Sequence, residues 1–272
     1  MSKIWFITGI SSGLGKAITE AVINEGDFVI GTLRSAEAVE KFNARYKERA
    51  RAVHVDITNH QAMEEIIASI PRIDVLVNNA GIGFVGAIEE TSLEESRKVF
   101  EVNFFASLNL TQLVLPKMRQ QEQGHILQIS SHGGIKAFAG FGMYNASKFA
   151  LEGFSEALAQ EVKPLGITVT LVEPGPFRTE FASKELPEAK KVIYDYAETA
   201  GAFRNKLKGV HGQQEGDPVK AAKAILSYVA KENTPLRLPL GKVPLKTIQM
   251  KLDEVQNDLE INSAIAAEVT FN

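Results

Sequence analysis

Apolar runs of strand length recur at residues 3–8, 28–33, 52–55, 73–78, 125–130 and 167–172, and longer segments with a helical apolar period separate them. This alternation constrains the fold strongly. Successive parallel strands need a crossover long enough to carry the chain back, and a helix is the usual one. The run Asp74-Val75-Leu76-Val77 is continuously apolar after its first residue, as expected of a strand covered by helices on both faces. The pattern predicts an α/β fold with a doubly wound parallel sheet in a single domain.

Helices are predicted at 14–25, 36–48, 61–69, 93–121, 141–162 and 218–231, with Gly26, Gly124 and Gly166 as stop signals. A further strand is predicted at 235–240. Beyond it Leu245, Ile248, Leu252, Val255 and Leu259 recur at helical spacing, an apolar stripe that needs a surface to cover.

The chain has 272 residues and a formal net charge of -3, so it offers no basic field for nucleic acid. It contains no cysteine, which removes disulfides, thiolate metal sites and cysteine nucleophiles. Its histidines, His54, His60, His125, His132 and His211, show no ligand spacing, and no metal site is expected. The apolar run at the N-terminus is too short for a signal segment or a membrane span, so a soluble cytoplasmic protein is expected.

Between the first strand and the first helix lies Thr8-Gly9-Ile10-Ser11-Ser12-Gly13-Leu14-Gly15. At such a turn bare amides and the helix dipole can hold a pyrophosphate, and glycine lets the backbone approach it. A strand-to-helix turn can also need glycine for steric reasons alone. About 20 residues past the glycines, a dinucleotide fold often carries an acid for the ribose 2′-hydroxyl. Here Leu33 occupies that point and Arg34 follows, and a guanidinium can hold a 2′-phosphate with paired hydrogen bonds. Arg34 read alone could equally project into water.

Reducing a ketone requires a proton for the developing alkoxide, and oxidising an alcohol requires its removal. Tyr144 and Lys148 stand four residues apart, so one helical face carries both, and the ammonium would lower the proton affinity of the phenol. Asn103 lies in the apolar stretch Val102-Asn103-Phe104-Phe105, where an amide must find partners or be costly to bury.

The spacing Gly9-x-x-x-Gly13-x-Gly15, followed by Asn78-Asn79-Ala80-Gly81, Asn103, Ser131, Tyr144-Asn145-Ala146-Ser147-Lys148 and Pro174-Gly175, resembles the short-chain dehydrogenase/reductase family, firmly over residues 3–179. The resemblance implies a Rossmann-like fold and an oxidoreductase. It implies a catalytic set of Asn103, Ser131, Tyr144 and Lys148, with Ser131 orienting the carbonyl, chosen over Ser130 by spacing. Asn103 would hold a water that links to Lys148. The cofactor would meet Gly9, Ser11, Ser12, Gly13, Leu14, Gly15, Arg34, Asp56, Ile57, Asn79, Ala80, Gly81, Tyr144, Lys148, Pro174, Gly175 and Thr179. Asp56 reads either as an adenine contact or as a helix N-cap.

NADP(H) is predicted over NAD(H). Ser12 stands where some NADPH-preferring relatives carry a second basic residue, so NAD(H) stays as the alternative. Residues 1–240 are expected to form the catalytic domain, including a substrate loop at 180–217, with 241–272 as its C-terminal helical extension. The loop carries Phe181, Leu186, Tyr194, Tyr196 and Phe203, which read either as a lid over an apolar substrate or as internal packing, with Phe138, Phe141 and Met143 as the opposite wall. The expected substrate is a small apolar ketone or its secondary alcohol. The resemblance also implies a homo-dimer or homo-tetramer contacting through 93–121 and 141–162. A non-catalytic NADPH-binding regulator and an epimerase or dehydratase that retains its cofactor are the competing readings.

Overall fold

A computed structural model describes residues 2–182, 186–210 and 212–271; His211 and part of the substrate loop lie outside the described residues. Seven parallel strands form one sheet in the order β3-β2-β1-β4-β5-β6-β7. They are β1 (Ile4–Ile7), β2 (Phe28–Leu33), β3 (Ala50–His54), β4 (Val75–Asn78), β5 (Gly124–Ile129), β6 (Ile167–Pro174) and β7 (Arg237–Leu240). The predicted doubly wound α/β fold is the one observed. The order reverses between β1 and β4, so the chain winds outward from there in both directions and leaves a crevice at the strands' carboxyl ends.

Alternation along each strand divides the core in two. Trp5 and Ile7 of β1 join Val29, Val77, Leu127 and Val172 beneath α1 (Gly13–Asn24), α2 (Ala36–Tyr46) and α8 (Pro218–Val229). Phe6 faces the other way, with Leu76, Ile126 and Val169, beneath α3 (His60–Ala68), α5 (Ala106–Gln121) and α6 (Gly142–Val162). Every residue of β4 is buried, as its unbroken apolar run predicts.

The helix predicted at 93–121 is interrupted. α4 (Leu93–Phe100) opens on a capping box, with Ser92 Oγ accepting from Glu95 N while Glu95 accepts from Ser92 N. A π-helical turn, Glu101–Phe105, then precedes α5 and contains Asn103. Periodicity alone does not reveal such a bulge, which inserts one residue per turn and often marks a functional position.

Three further expectations are corrected. Gly124 is not the stop of α5: Glu122 takes the left-handed position at φ 54, and Gly124 opens β5. The N-cap of α3 is Asn59, whose side chain accepts from Ala62 N, while Asp56 instead accepts from Thr58 N and Oγ1. The segment 180–217 contains α7 (Ala202–Gly209), preceded by a π-helical turn at Ala197–Gly201, so it is not wholly irregular.

The C-terminal stripe does lie on a helix, α9 (Lys242–Glu268), but Leu245, Leu252 and Leu259 are each more than half exposed, so the chain itself does not cover it. Among the described residues no helix is long and apolar enough to cross a membrane, and no acidic or histidine cluster could hold a metal.

A Cβ at a left-handed position costs about 1–2 kcal/mol, part of which glycine gives back as unfolded-chain entropy. Glu122→Gly should therefore stabilise the fold by about 0.5–1 kcal/mol and raise the melting temperature by roughly 2 °C. Scanning calorimetry of both proteins would check this, and an unchanged or lowered midpoint would contradict it.

Candidate active site

The nucleotide loop is built by interlocking bonds between two strand ends. Thr8 Oγ1 accepts from Asn79 N at 2.9 Å and Ala80 N at 3.0 Å, while Asn79 Nδ2 donates to Thr8 O at 2.8 Å and Gly9 O at 3.1 Å. Gly9 and Gly13 have φ of 70 and 57, in the left-handed region. A Cβ on Gly15 would fall 2.3 Å from both Asn79 Nδ2 and Gly9 O, so glycine there lets α1 reach the turn.

Ser12 is the N-cap of α1, but its side chain makes no capping bond and the first turn carries no acid. The amides of that turn thus remain available to an anion. Ser11 and Ser12 are exposed at the mouth, whereas Leu14 packs into the core.

Thr179 closes the other side. A Cβ on Gly13 would meet Thr179 Cβ at 3.4 Å, so the turn after Pro174 and Gly175 lies against the glycine loop. At the far end Arg34 is exposed and acts electrostatically on Asp56. Hydrogen bonding from Thr58 N chiefly holds the Asp56 carboxyl below the ordinary carboxylate range, with help from the Thr58 hydroxyl and the Arg34 charge. Ile57 packs against the core instead, leaving its backbone as the part nearest this edge.

On the other flank of the crevice, β5 ends at Ile129, two residues before Ser131, and a 3-10 turn at His132–Gly134 carries the chain towards α6. Tyr144 is the third residue of α6, and Lys148 follows one turn later. Both are buried. A Cβ on Gly133 would meet Ser131 Oγ at 3.3 Å and Tyr144 Cε1 at 3.6 Å, so the serine and the tyrosine lie side by side. Lys148 Nζ donates to Ile129 O at 2.7 Å and lies 5.9 Å from the centre of the Tyr144 ring. Ser130 instead flanks Gly134 together with Glu152, so the two serines diverge as strand alternation predicts.

The electrostatics differ from the sequence expectation. Burial pushes the Tyr144 phenol up to about 12, against a smaller lowering from the neighbouring Ser131, and burial pushes the Lys148 amine down to about 8. The chain's own groups do not turn the phenol into a base. They keep it protonated.

Asn103 is tied down by its side chain. Oδ1 accepts from Ile82 N at 2.8 Å, and Nδ2 donates to Ile82 O at 2.9 Å and Ser147 Oγ at 3.0 Å. Both amide hydrogens are spent, so the side chain serves as a clamp, and any relay through this residue would have to use an acceptor. Its neighbourhood is nevertheless the expected one: a Cβ on Gly81 would meet Asn103 Oδ1 at 3.2 Å and Lys148 Nζ at 3.7 Å.

Of the loop residues, Phe181, Leu186 and Phe203 converge on the tyrosine and Tyr194 and Tyr196 do not. The Phe181 ring lies 5.5 Å from Tyr144, Phe141 stacks on it at 4.3 Å, and Phe203 lies 5.4 Å from Phe141. Phe138 and Leu186 join this cluster. Tyr194 is exposed, Tyr196 bonds outward to Glu89, and Met143 packs with Phe84, Val99 and Ala189 rather than forming the wall. The buried Glu90 anchors the lid by accepting from Ile193 N and Arg204 Nη2, each at 2.9 Å.

Asn145 escaped the sequence reading. Its Nδ2 donates to Gly133 O at 2.8 Å and its Oδ1 accepts from Phe138 N at 3.0 Å, pinning the Ser131 turn to α6. Ser147 was missed too, although its hydroxyl joins Asn103 to the Tyr144 carbonyl. The available signal was polar side chains on the same inward helical face as Tyr144 and Lys148.

Residues 3–190 match the family model described as short chain dehydrogenase. The chain is 39% identical to an oxidoreductase of Botryotinia fuckeliana, covering 89% of both chains. It is 40% identical to a 3-ketodihydrosphingosine reductase of Bacteroides thetaiotaomicron, covering 88% of both. A crystal structure of a short-chain dehydrogenase from Streptomyces avermitilis superposes over 100% of both chains with a TM-score of 0.91 and 41% identity.

Asn145→Ala strips partners from two backbone groups beside Ser131, a loss of about 2–3 kcal/mol. Urea denaturation should show the lowered midpoint, with turnover falling in the folded protein as well. A variant with wild-type stability and rate would show that the Ser131 turn holds itself.

Proposed function

The chain belongs to the short-chain dehydrogenase family, and from that premise we propose that it is an NADP(H)-dependent oxidoreductase acting on an apolar ketone or its secondary alcohol. The observation that carries this reading is the buried Tyr144 side chain beside Ser131, with Lys148 one turn along the same helix and aromatic rings above.

The residues present fit a dinucleotide. The uncapped start of α1 and the glycine turn suit the pyrophosphate, and Asn79, Ala80, Gly81, Pro174, Gly175 and Thr179 would hold the rest of the dinucleotide between that turn and Tyr144. Arg34, with no carboxylate at the end of β2, supports a 2′-phosphate. When bound, the nicotinamide supplies hydride to the carbonyl carbon or accepts it from the alcohol.

The protein's part is the proton. A carbonyl oxygen within reach of the Tyr144 and Ser131 hydroxyls would accept hydrogen bonds from both as charge gathers on it. Tyr144 then gives its proton to that oxygen, and the Lys148 ammonium stabilises the phenolate left behind. Because burial keeps the phenol protonated and leaves Lys148 largely charged at neutral pH, the chain's own electrostatics favour carbonyl reduction. The lid of Phe181, Leu186 and Phe203 excludes water and offers an apolar wall, consistent with a relative named for reducing a 3-keto compound.

Exposed Leu93, Phe105 and Phe149, on or beside α4 and α6, support a homo-oligomer formed through those helices.

Tyr144→Phe should lower turnover by about 10²–10⁴-fold while binding NADPH as the wild type does, read by nucleotide fluorescence and by absorbance loss with a panel of apolar ketones. Wild-type rates in the variant would overturn the mechanism. Arg34→Ala should cut the preference for NADPH over NADH by about 10- to 100-fold, measured with both nucleotides side by side. Equal losses for the two would overturn the cofactor assignment.

A further inference from the structure

One turn beyond Lys148 on α6 stands Glu152, which the proton transfer does not use. It is buried, and so is Glu173 of β6, which is wholly inaccessible. Arg237 of β7 forks between them, with Nη1 2.5 Å from Glu152 Oε2 and 2.5 Å from Glu173 Oε1. Its Nη2 pairs with Glu156, which is half exposed. The remaining oxygens, Glu152 Oε1 and Glu173 Oε2, are buried without a partner.

Three carboxyls thus share one guanidinium, an arrangement that buries surplus negative charge unless one carboxyl keeps its proton. The register sets where the charge falls: α6 presents Tyr144 to Ser131, Lys148 to Ile129 O and Glu152 to Ser130.

We propose that Glu152, fixed by Arg237, is a positioning residue whose carboxylate is the counter-charge that keeps Lys148 an ammonium ion. The inference rests on reading Tyr144 and Lys148 as the proton-transfer pair. Tyr144 and Glu152 face Lys148 from its own helix, and Asn103 meets it across Gly81. Arg237 gathers Glu152, Glu156 and Glu173 around its guanidinium, and Lys148 stands one turn before Glu152 on α6. Burial lowers Lys148 and the Glu152 charge opposes that fall; burial raises Glu152 too, with Arg237 working against that rise, and burial and the neighbouring Glu152 push Glu173 up to about 7.

The test is the reductive kcat/KM of the full chain with NADPH and an apolar ketone, from about pH 6 to about pH 10. The wild-type rate should fall above about 8, as Lys148 loses its proton. Glu152→Gln should move that limb down by about one unit, and Glu173→Gln, which removes a carboxyl on the far side of Arg237, should move it less. Glu152→Asp keeps the charge and should keep the limb near the wild-type position.

The idea is overturned if the Glu152→Gln limb coincides with the wild type, if Glu173→Gln moves it as far, or if Glu152→Asp moves it as far as Glu152→Gln. Carbon-13 lysine NMR, with the Lys148 signal identified by its loss in Lys148→Arg, reads the same amine without turnover. An inactive wild type would therefore sink the oxidoreductase reading, while the NMR titration of the wild type, Glu152→Gln and Glu152→Asp still decides the counter-charge.

Discussion

The hydroxyl of Thr8 sits where the sheet divides. β1 pairs with β2 on one side and β4 on the other, and the chain winds away in opposite directions beyond each. Through Thr8 Oγ1 and the Asn79 amide, the residues that follow β1 and β4 are held together at that division. An open parallel sheet necessarily has a crevice there, because crossover helices leave from different faces. The same bonds fix the glycine turn on one lip and the Asn79-Ala80-Gly81 segment on the other. The opening between them has a defined width before any ligand arrives.

Across that crevice the determining factor is desolvation. A phenol and an amine are placed under aromatic rings, and removal from water moves both towards their uncharged forms. The two shifts have opposite consequences for chemistry. A tyrosine that keeps its proton is a competent acid, whereas a lysine that loses its own is a poor electrostatic partner. The surroundings compensate for the second effect with a carboxylate on the next turn and leave the first uncorrected.

Local geometry was the part of the structure most readable from the chain. Tyr144 and Lys148 share a helical face because the helix repeat alone requires it, and β4 is buried on both faces as its apolar run announces. Ser131 was separable from Ser130 because successive strand residues point oppositely, and the spacing to Tyr144 chose between them. The misread features depend on partners remote in the chain. Arg237 reaches Glu152 across 85 residues, and nothing in the local sequence around either residue announces the other. The π-helical turn at Asn103 hides because its composition suits an α-helix equally well. Gly124 misled because a left-handed residue after a helix is usually glycine, and here Glu122 accepts the strain.

The serine-bearing turn also leans on α9: His132 Nδ1 lies 3.0 Å from Thr247 Oγ1, and Lys136 pairs with Glu254 at 2.5 Å. With Arg237 these contacts come from the last strand and helix, whereas the bonds that build the glycine turn join residues before position 82. During synthesis on the ribosome the phosphate-holding half can therefore assemble while its proton-handling counterpart still waits for unmade chain. Translation that stalls before β7 would release a polypeptide with a nucleotide cradle and an unbraced α6.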